Sequence, residues 1–253
     1  MARAAVPGGL KVRRAWRPAL VVERRQETES ACTLVLQVPG WPGHLAGQHI
    51  DVRLTADDGY QAARSYSLAA PAAGDQIEIT AQVVPDGEVS TYLCEDASSG
   101  DTVEVRGPVG GWFVWSPGDS GPVLLVGGGS GVVPLMAMIR TRDGVSPTPF
   151  RLIYSMRTPE NRIYDPELQR RATEDGGLDI AFLYTRTAPA GETRPTGRIN
   201  AKDLLTYGWP ADVEPSCYVC GPTPFVETVA DLLIDLGHNP TRIRTERFGP
   251  TGP

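Results

Sequence analysis

Residues 122–139 read PVLLVGGGSGVVPLMAMI, and the passage from aliphatic run through glycine turn to helical pattern in this one uncharged stretch sets the architecture. PVLLVG reads as a buried strand. From Val132 the apolar residues recur at helical spacing, with Val132, Leu135, Met136 and Ile139 on one face. Four glycines, Ser130 and the internal Pro134 break the run, so strand, loop and helix fit it better than a membrane span. The loop, GGGSGVVP at 127–134, ends a strand and opens a helix. A helix start offers unpaired N–H groups and a partial positive charge, which suits a pyrophosphate. The spacing is neither GxGxxG followed by an acid ~20 residues later nor a phosphate loop with Lys after its last glycine. A glycine turn without a ligand is the competing reading. Against it stands the loop's place at the carboxyl end of a first strand, where α/β sheets bind ligands.

Downstream, strands and helices alternate. FRLIYS, DIAFLYT, CYVCG and RIRTERF read as strands, separated by the helical DPELQRRAT, NAKDLL (capped by Asn200) and TPFVETVADLLIDLG, which has Pro near its start and Gly237 past its end. Such alternation predicts a doubly wound α/β domain with a five-stranded parallel sheet. Upstream the rhythm is different. ALVVERR, CTLVLQVP, HIDVRLT, ARSYSLAA, QIEITAQVV and DTVEVRG are six short β-like runs separated by PGWPGH, ADDG, PAAGD and SSGD, with one helical segment at VSTYLCEDA. This pattern favours a small antiparallel barrel or sandwich, with a six-stranded antiparallel β-barrel as the expected form. With SPGDSGP (116–122) as linker, the expected organisation is an extension at 1–17, a barrel domain at 18–117 and an α/β domain at 118–253.

The 253 residues are 41% hydrophobic and 21% charged, ordinary for a globular protein with a sizeable core. The formal charge of −6 argues against a general nucleic-acid binder. Arg13-Arg14 is not followed by an apolar run, so no secretory signal is expected, and the chain reads as cytoplasmic, without a membrane partner. Arginines at 3, 13, 14, 17, 24 and 25 form a basic stretch that an acidic protein partner could use. His44, His49 and His238 are scattered, so no metal site is expected, and His49 reads as the filler of a strand position.

Within the barrel half, RSYSL at 64–68 sets a cation, a flat ring and two hydroxyls side by side, which resembles the lining of a pocket for a flat, phosphate-bearing ligand. In the other half YVCGP (218–222) again joins a strand end to a turn and a helix start, placing Cys220 at the mouth of the same crevice. Cys217 and Cys220 form a CxxC, for which redox chemistry and a metal must be weighed. In an extended strand they lie ~10 Å apart, beyond disulfide reach, and no second pair completes a zinc site. Cys217 then reads as core and Cys220 as functional.

RSYS (64–67), GEVSTYL (87–93), GPVGGW (107–112), GGGSGVVPLM (127–136), CGP (220–222) and ERF (246–248) occur in that order. Together they resemble the ferredoxin–NADP reductase family of flavoproteins, over nearly the whole chain beyond about residue 18. The resemblance implies bound FAD and NADPH or NADH as electron donor. It implies that Arg64 binds the flavin pyrophosphate, that Tyr66 packs on the flavin ring, and that Ser67, beside Ser65, hydrogen-bonds near its reactive nitrogen. It gives the Gly87, Glu88, Val89 and Ser90 turn to the FAD phosphates. Gly128, Gly129, Ser130, Gly131 and Val132 go to the nicotinamide dinucleotide. Cys220, Gly221 and Pro222 flank the nicotinamide, with Glu246 completing a polar site beside Ser67, so that Ser67, Cys220 and Glu246 are the expected catalytic residues. Phe248 is the candidate cover for the other flavin face, although GPTGP follows it here. For a 2′-phosphate, Arg157 and Arg162 follow one strand and Thr185, Arg186 and Arg194 the next; Thr185-Arg186 resembles the pair used by NADPH-dependent relatives.

The implied activity is that of an NAD(P)H-dependent flavoprotein reductase, passing electrons to a separate acceptor protein such as a ferredoxin or an oxygenase component. The four cysteines cannot supply the C-x4-C-x2-C plus distant cysteine of a plant-type [2Fe–2S] domain, so an iron–sulfur partner is expected to be separate and the chain a monomer. The alternatives are a flavin reductase that releases its flavin, and a non-catalytic nucleotide-sensing subunit of the same fold.

Overall fold

The computed structural model describes residues 15–143 and 146–249; the arginines at 3, 13 and 14 and the last four residues of the closing GPTGP lie outside the described residues. In the first half, β1 (Arg17–Thr28), β2 (Ala31–Gln37), β3 (His49–Thr55), β4 (Gln61–Ser67), β5 (Gln76–Gln82) and β6 (Thr102–Val109) form an antiparallel sheet in the order β4-β3-β6-β1-β2-β5. The period of two along the strands turns Ala19 and Val21, Ile50 and Val52, Ile77 and Ile79, and Val103 and Val105 to one face, where all are buried. A Leu68–Ile79 bridge, with the Ala69 N–H donating to the Glu78 carbonyl at 2.8 Å, joins the two sheet edges and closes the barrel. VSTYLCEDA is helical as expected: α1 (Glu88–Thr91) widens into a π turn at Tyr92–Asp96.

In the second half β7 (Val123–Gly128), β8 (Phe150–Met156), β9 (Leu178–Tyr184), β10 (Ser216–Pro222) and β11 (Ile243–Phe248) form a parallel sheet ordered β11-β10-β7-β8-β9. The connecting helices are α2 (Val132–Arg142), α3 (Asp165–Glu174), α4 (Ala201–Tyr207) and α5 (Thr223–Asp235). Asn200 caps α4 as read: its carboxamide oxygen accepts from the Lys202 and Asp203 N–H groups at 2.9 and 3.3 Å, and the Asp203 carboxylate accepts from the Asn200 N–H. The chain leaves β7 toward β8 and β9, then returns to place β10 on the other side. That reversal opens a crevice at the carboxyl ends of β7 and β10.

One buried polar chain ties the halves together. The Thr33 hydroxyl donates to Glu27 at 2.7 Å and touches the Thr80 hydroxyl at 2.7 Å, and Thr80 in turn meets the Tyr164 hydroxyl. Glu27 also accepts from the Tyr164 N–H at 3.2 Å. Tyr164 sits in left-handed backbone (φ 62°) just before α3. Arg140, near the end of α2, lies 4.8 Å over the Tyr164 ring, donates to the Ala69 carbonyl at 2.9 Å, and pairs with Glu167. Both Tyr164 and Thr80 are buried, so their hydroxyls have no water to fall back on. Tyr164→Phe is therefore expected to lower the unfolding free energy by about 1–2 kcal/mol, read from urea unfolding with the slope unchanged. An unchanged midpoint would show that this contact contributes nothing.

Candidate functional site

Along its length β4 pairs only with β3 and meets β5 just past its end at the Leu68–Ile79 bridge, which leaves the edge at Arg64 open. Arg64 is exposed and finds no carboxylate among the described residues; its one side-chain bond is to the neighbouring Ala63 carbonyl. Tyr66, on the same face of the strand, rests partly buried on the barrel core, and burial pushes its hydroxyl up so that it stays protonated. Ser65 donates to Asp51 at 2.7 Å, and Asp51 pairs with Arg106, so the Ser65 hydroxyl is already engaged. Ser67 differs: its Oγ is buried and has no hydrogen-bond partner.

In register, Ser67 lies opposite His49 on β3, and Cys220 on β10 lies opposite Glu246 on β11. The two pairs meet across the crevice, where His49 Nδ1 is 3.7 Å from Glu246 Oε1. The other carboxyl oxygen of Glu246 is buried without a partner. Burial pushes Glu246 up to about 7 and lowers His49 below its ordinary value. At neutral pH a carboxyl protonated for a substantial fraction faces a neutral imidazole, a different thing from the ion pair that the distance alone suggests. Cys220 is wholly buried; desolvation, reinforced by the Glu246 carboxylate, pushes its thiol well above the ordinary value and keeps it a thiol. Cys217, three positions earlier, belongs to the cluster on the opposite face of the sheet. Their odd spacing on a strand requires this, so the CxxC cannot act as one unit.

The glycine loop presses α2 against the end of β10. A Cβ on Gly131 would stand 2.1 Å from the Cys220 carbonyl oxygen, so no other residue fits without moving backbone. Gly129 takes φ +56° to make the turn. Ser130 is half-buried beside the uncapped N–H groups of the first turn of α2. At the barrel, the Ser90 hydroxyl accepts from the Val84 N–H at 3.2 Å and donates to the Gly87 carbonyl at 3.0 Å, fixing the turn that opens α1. Val89 is 1% exposed in the barrel core, so only its backbone could reach a ligand, and Glu88 accepts a bond from Tyr60. Phe248, opposite Pro222 at the last rung of the sheet, packs partly buried on the core around Cys220.

The arginines separate into two groups. Arg162 is buried on Asp165, the Tyr184 hydroxyl and the Phe182 ring, and Arg194 on Asp203, so both are structural. Arg157 and Arg186 are exposed and without a carboxylate partner among the described residues. The Arg186 N–H donates to the Arg157 carbonyl at 3.0 Å, and the Thr185 N–H to Met156, which holds the two tips together at the ends of β8 and β9. His49 is the residue whose place the sequence did not reveal. Its only signal was its position at the start of the strand that pairs with RSYS, and no spacing rule links it to Glu246, 197 positions away.

The residues fit a flavin. Two buried oxygens without partners face the crevice, with the partly buried Tyr66 ring and the exposed Arg64 guanidinium on the same strand as Ser67, and a flat polar ring with a diphosphate supplies a match for each. Residues 18–114 match the family model of the oxidoreductase FAD-binding domain and residues 125–231 that of the oxidoreductase NAD-binding domain. The chain is 32% identical, over 81% of its own length, to the ferredoxin–NAD(P)(+) reductase component of the naphthalene 1,2-dioxygenase/salicylate 5-hydroxylase systems of a Ralstonia species, of which it covers 61%. It spans about three fifths of the length of the curated relatives it matches. In fold it is similar to the FAD/NAD-binding domain of a nitric oxide dioxygenase from Vibrio cholerae O1 biovar El Tor (TM-score 0.80, 23% identity, 92% of this chain and 99% of that one). It is similar likewise to a ferredoxin NADP+ reductase from Neisseria gonorrhoeae with bound FAD and NADP (TM-score 0.77, 20% identity, 92% and 98%). Both domain matches, the two-sheet architecture and the crevice between them place the chain in the ferredoxin–NADP reductase family of FAD- and NAD(P)-binding flavoproteins.

Proposed function

We propose that this chain is an NAD(P)H-dependent flavoprotein reductase that serves a separate electron-acceptor protein, a ferredoxin or an oxygenase component. The observation that carries the proposal is the convergence of unpartnered Ser67 Oγ and Glu246 Oε2 on one crevice through His49, beside the glycine loop. Bound flavin would supply the redox chemistry that links a two-electron nicotinamide donor to the acceptor protein. The chain supplies position and polarity. Arg64 and the Gly87–Ser90 turn would hold the flavin diphosphate, Tyr66 would pack on the ring, and Ser67 would offer it a hydroxyl. The 128–131 loop and the start of α2 hold the nucleotide diphosphate, while Gly221 and Pro222 shape the nicotinamide end and Phe248 borders it. Glu246 holds a proton in the crevice, and half-exposed His49 connects that proton to water. Cys220, a buried thiol, packs rather than reacts.

The proposal divides the chain into a flavin unit at 18–117 and a nucleotide unit at 118–253, acting as a monomer in the cytoplasm. Among the described residues, no helix is long and apolar enough to cross a membrane. The acceptor class is supported by the relatives, among them reductase components of dioxygenase systems and a glycine betaine monooxygenase reductase subunit. Arg157, Thr185 and Arg186 favour NADPH over NADH.

Purified protein is expected to be yellow and to bleach when NADPH is added without oxygen. Arg186→Ala removes charge-assisted bonds of about 1.5–3 kcal/mol from the 2′-phosphate, so NADPH binding should weaken ~10–100-fold in anaerobic stopped-flow while NADH is unaffected. Equal changes for both nucleotides would remove Arg186 from this role.

Glu246 gives a second test. Its carboxyl stands at about 7 in the fold against 4.5 ordinarily, so the folded chain binds the proton more tightly than the unfolded one. The resulting stability is complete below pH 4.5 and is lost as pH rises through 7. The difference in unfolding free energy between FAD-free wild type and Glu246→Gln should change by about 3 kcal/mol across this window, wild type losing ground as pH rises. A flat difference would mean that Glu246 ionises freely.

A further inference from the structure

Two of the four cysteines, 62 positions apart, meet inside the barrel, away from Cys220. Cys32 lies on β2 and Cys94 on the π turn after α1, and their sulfurs are 2.7 Å apart. The neighbouring backbone agrees with this contact. Cys94 Sγ reaches the carbonyl of Ala81, which is the cross-strand partner of Cys32, at 3.4 Å. Cys32 Sγ reaches the Leu93 carbonyl at 3.4 Å. Among the described residues no group of three His, Cys, Asp or Glu side chains could hold a metal, so the pair has no metal to share. A disulfide needs the sulfurs at ~2.05 Å, which small side-chain movements would achieve.

We propose that Cys32 and Cys94 are a redox-modifiable pair, joined by hydrogen peroxide into a disulfide that fastens the turn behind the Gly87–Ser90 segment to β2. Cys94 reacts first, being slightly exposed where Cys32 is not. The Cys32 S–H points at Cys94, and Arg24 lies nearby, bonded to the Cys94 carbonyl. The bond from Cys32 and the guanidinium together lower the Cys94 thiol, while that same bond and burial raise Cys32. The Cys94 sulfur attacks one peroxide oxygen and the O–O bond breaks. The sulfur keeps a hydroxyl as a sulfenic acid, and the other oxygen leaves as water with the thiol proton. The Cys32 sulfur then attacks the Cys94 sulfur; the S–S bond forms, the S–O bond breaks, and hydroxide leaves as a second water with the Cys32 proton. Two thiols thus lose two electrons and two protons, and one peroxide becomes two waters. The π turn begins at Tyr92, two positions after Ser90, so the bond would restrain the flavin-diphosphate turn.

The test treats the full, FAD-bound chain with hydrogen peroxide, alkylates it with iodoacetamide in denaturant, and maps the digest by mass spectrometry. Alkylated cysteines should fall from four to two, with the Cys32 and Cys94 peptides joined and Cys217 and Cys220 still alkylated. Dithiothreitol should restore all four, and the oxidised protein should melt at a higher temperature than the reduced. Cys94→Ser should leave Cys32 alkylated under the same peroxide. The proposal is overturned if Cys32 and Cys94 both stay alkylated, if Cys94 goes on to a sulfinic acid beside an alkylated Cys32, or if the joined form melts no higher. None of these readouts depends on electron transfer, so they stand apart from the reductase proposal.

Discussion

The hydrogen-bonded chain from Glu27 through Thr33 and Thr80 to Tyr164 is the constraint on which the crevice depends. It couples the barrel wall formed by β1, β2 and β5 to the segment that opens α3, so neither sheet can turn against the other without leaving a buried hydroxyl or the half-buried Glu27 carboxylate unpaired. Arg140 reinforces the seam from α2, the helix that also carries the glycine loop at its other end. A rigid seam matters because the candidate site belongs to neither sheet. Ser67 and His49 come from one, Cys220 and Glu246 from the other, and a shift of an ångström would separate them.

The crevice is built to keep charge out. Glu246 is protonated for a substantial fraction at neutral pH, His49 is held neutral, and Cys220 remains a thiol, all because burial costs the ionised forms their water. Cations gather outside it instead: Arg64 at the open face of β4, Arg157 and Arg186 at the ends of β8 and β9. Polar neutral groups inside and free guanidinium groups at two separate approaches suit two ligands that each join a flat ring to a phosphate chain.

The same sorting explains why arginine count says little here. Arg140, Arg142, Arg162, Arg171 and Arg194 all bind carboxylates and are largely buried structural fasteners. In the sequence they look no different from Arg157 and Arg186. Only neighbours separate a fastener from a free hand.

The period of two in the first half, the strand–glycine–helix passage at 122–139 and the alternation after it were enough to specify an antiparallel closed sheet followed by a doubly wound parallel one, because local hydrophobic period and turn chemistry are written residue by residue. The in-order motifs likewise marked RSYS, the glycine loop and CGP. What the tertiary structure decided is what depends on packing across distance. It took Arg162 and Arg194 away from the nucleotide, sank the Val89 side chain into the core, brought His49 to Glu246, and set Cys32 against Cys94. Each of these pairings joins strands or turns whose register is fixed only when the sheets close, so no pattern along the chain could carry them.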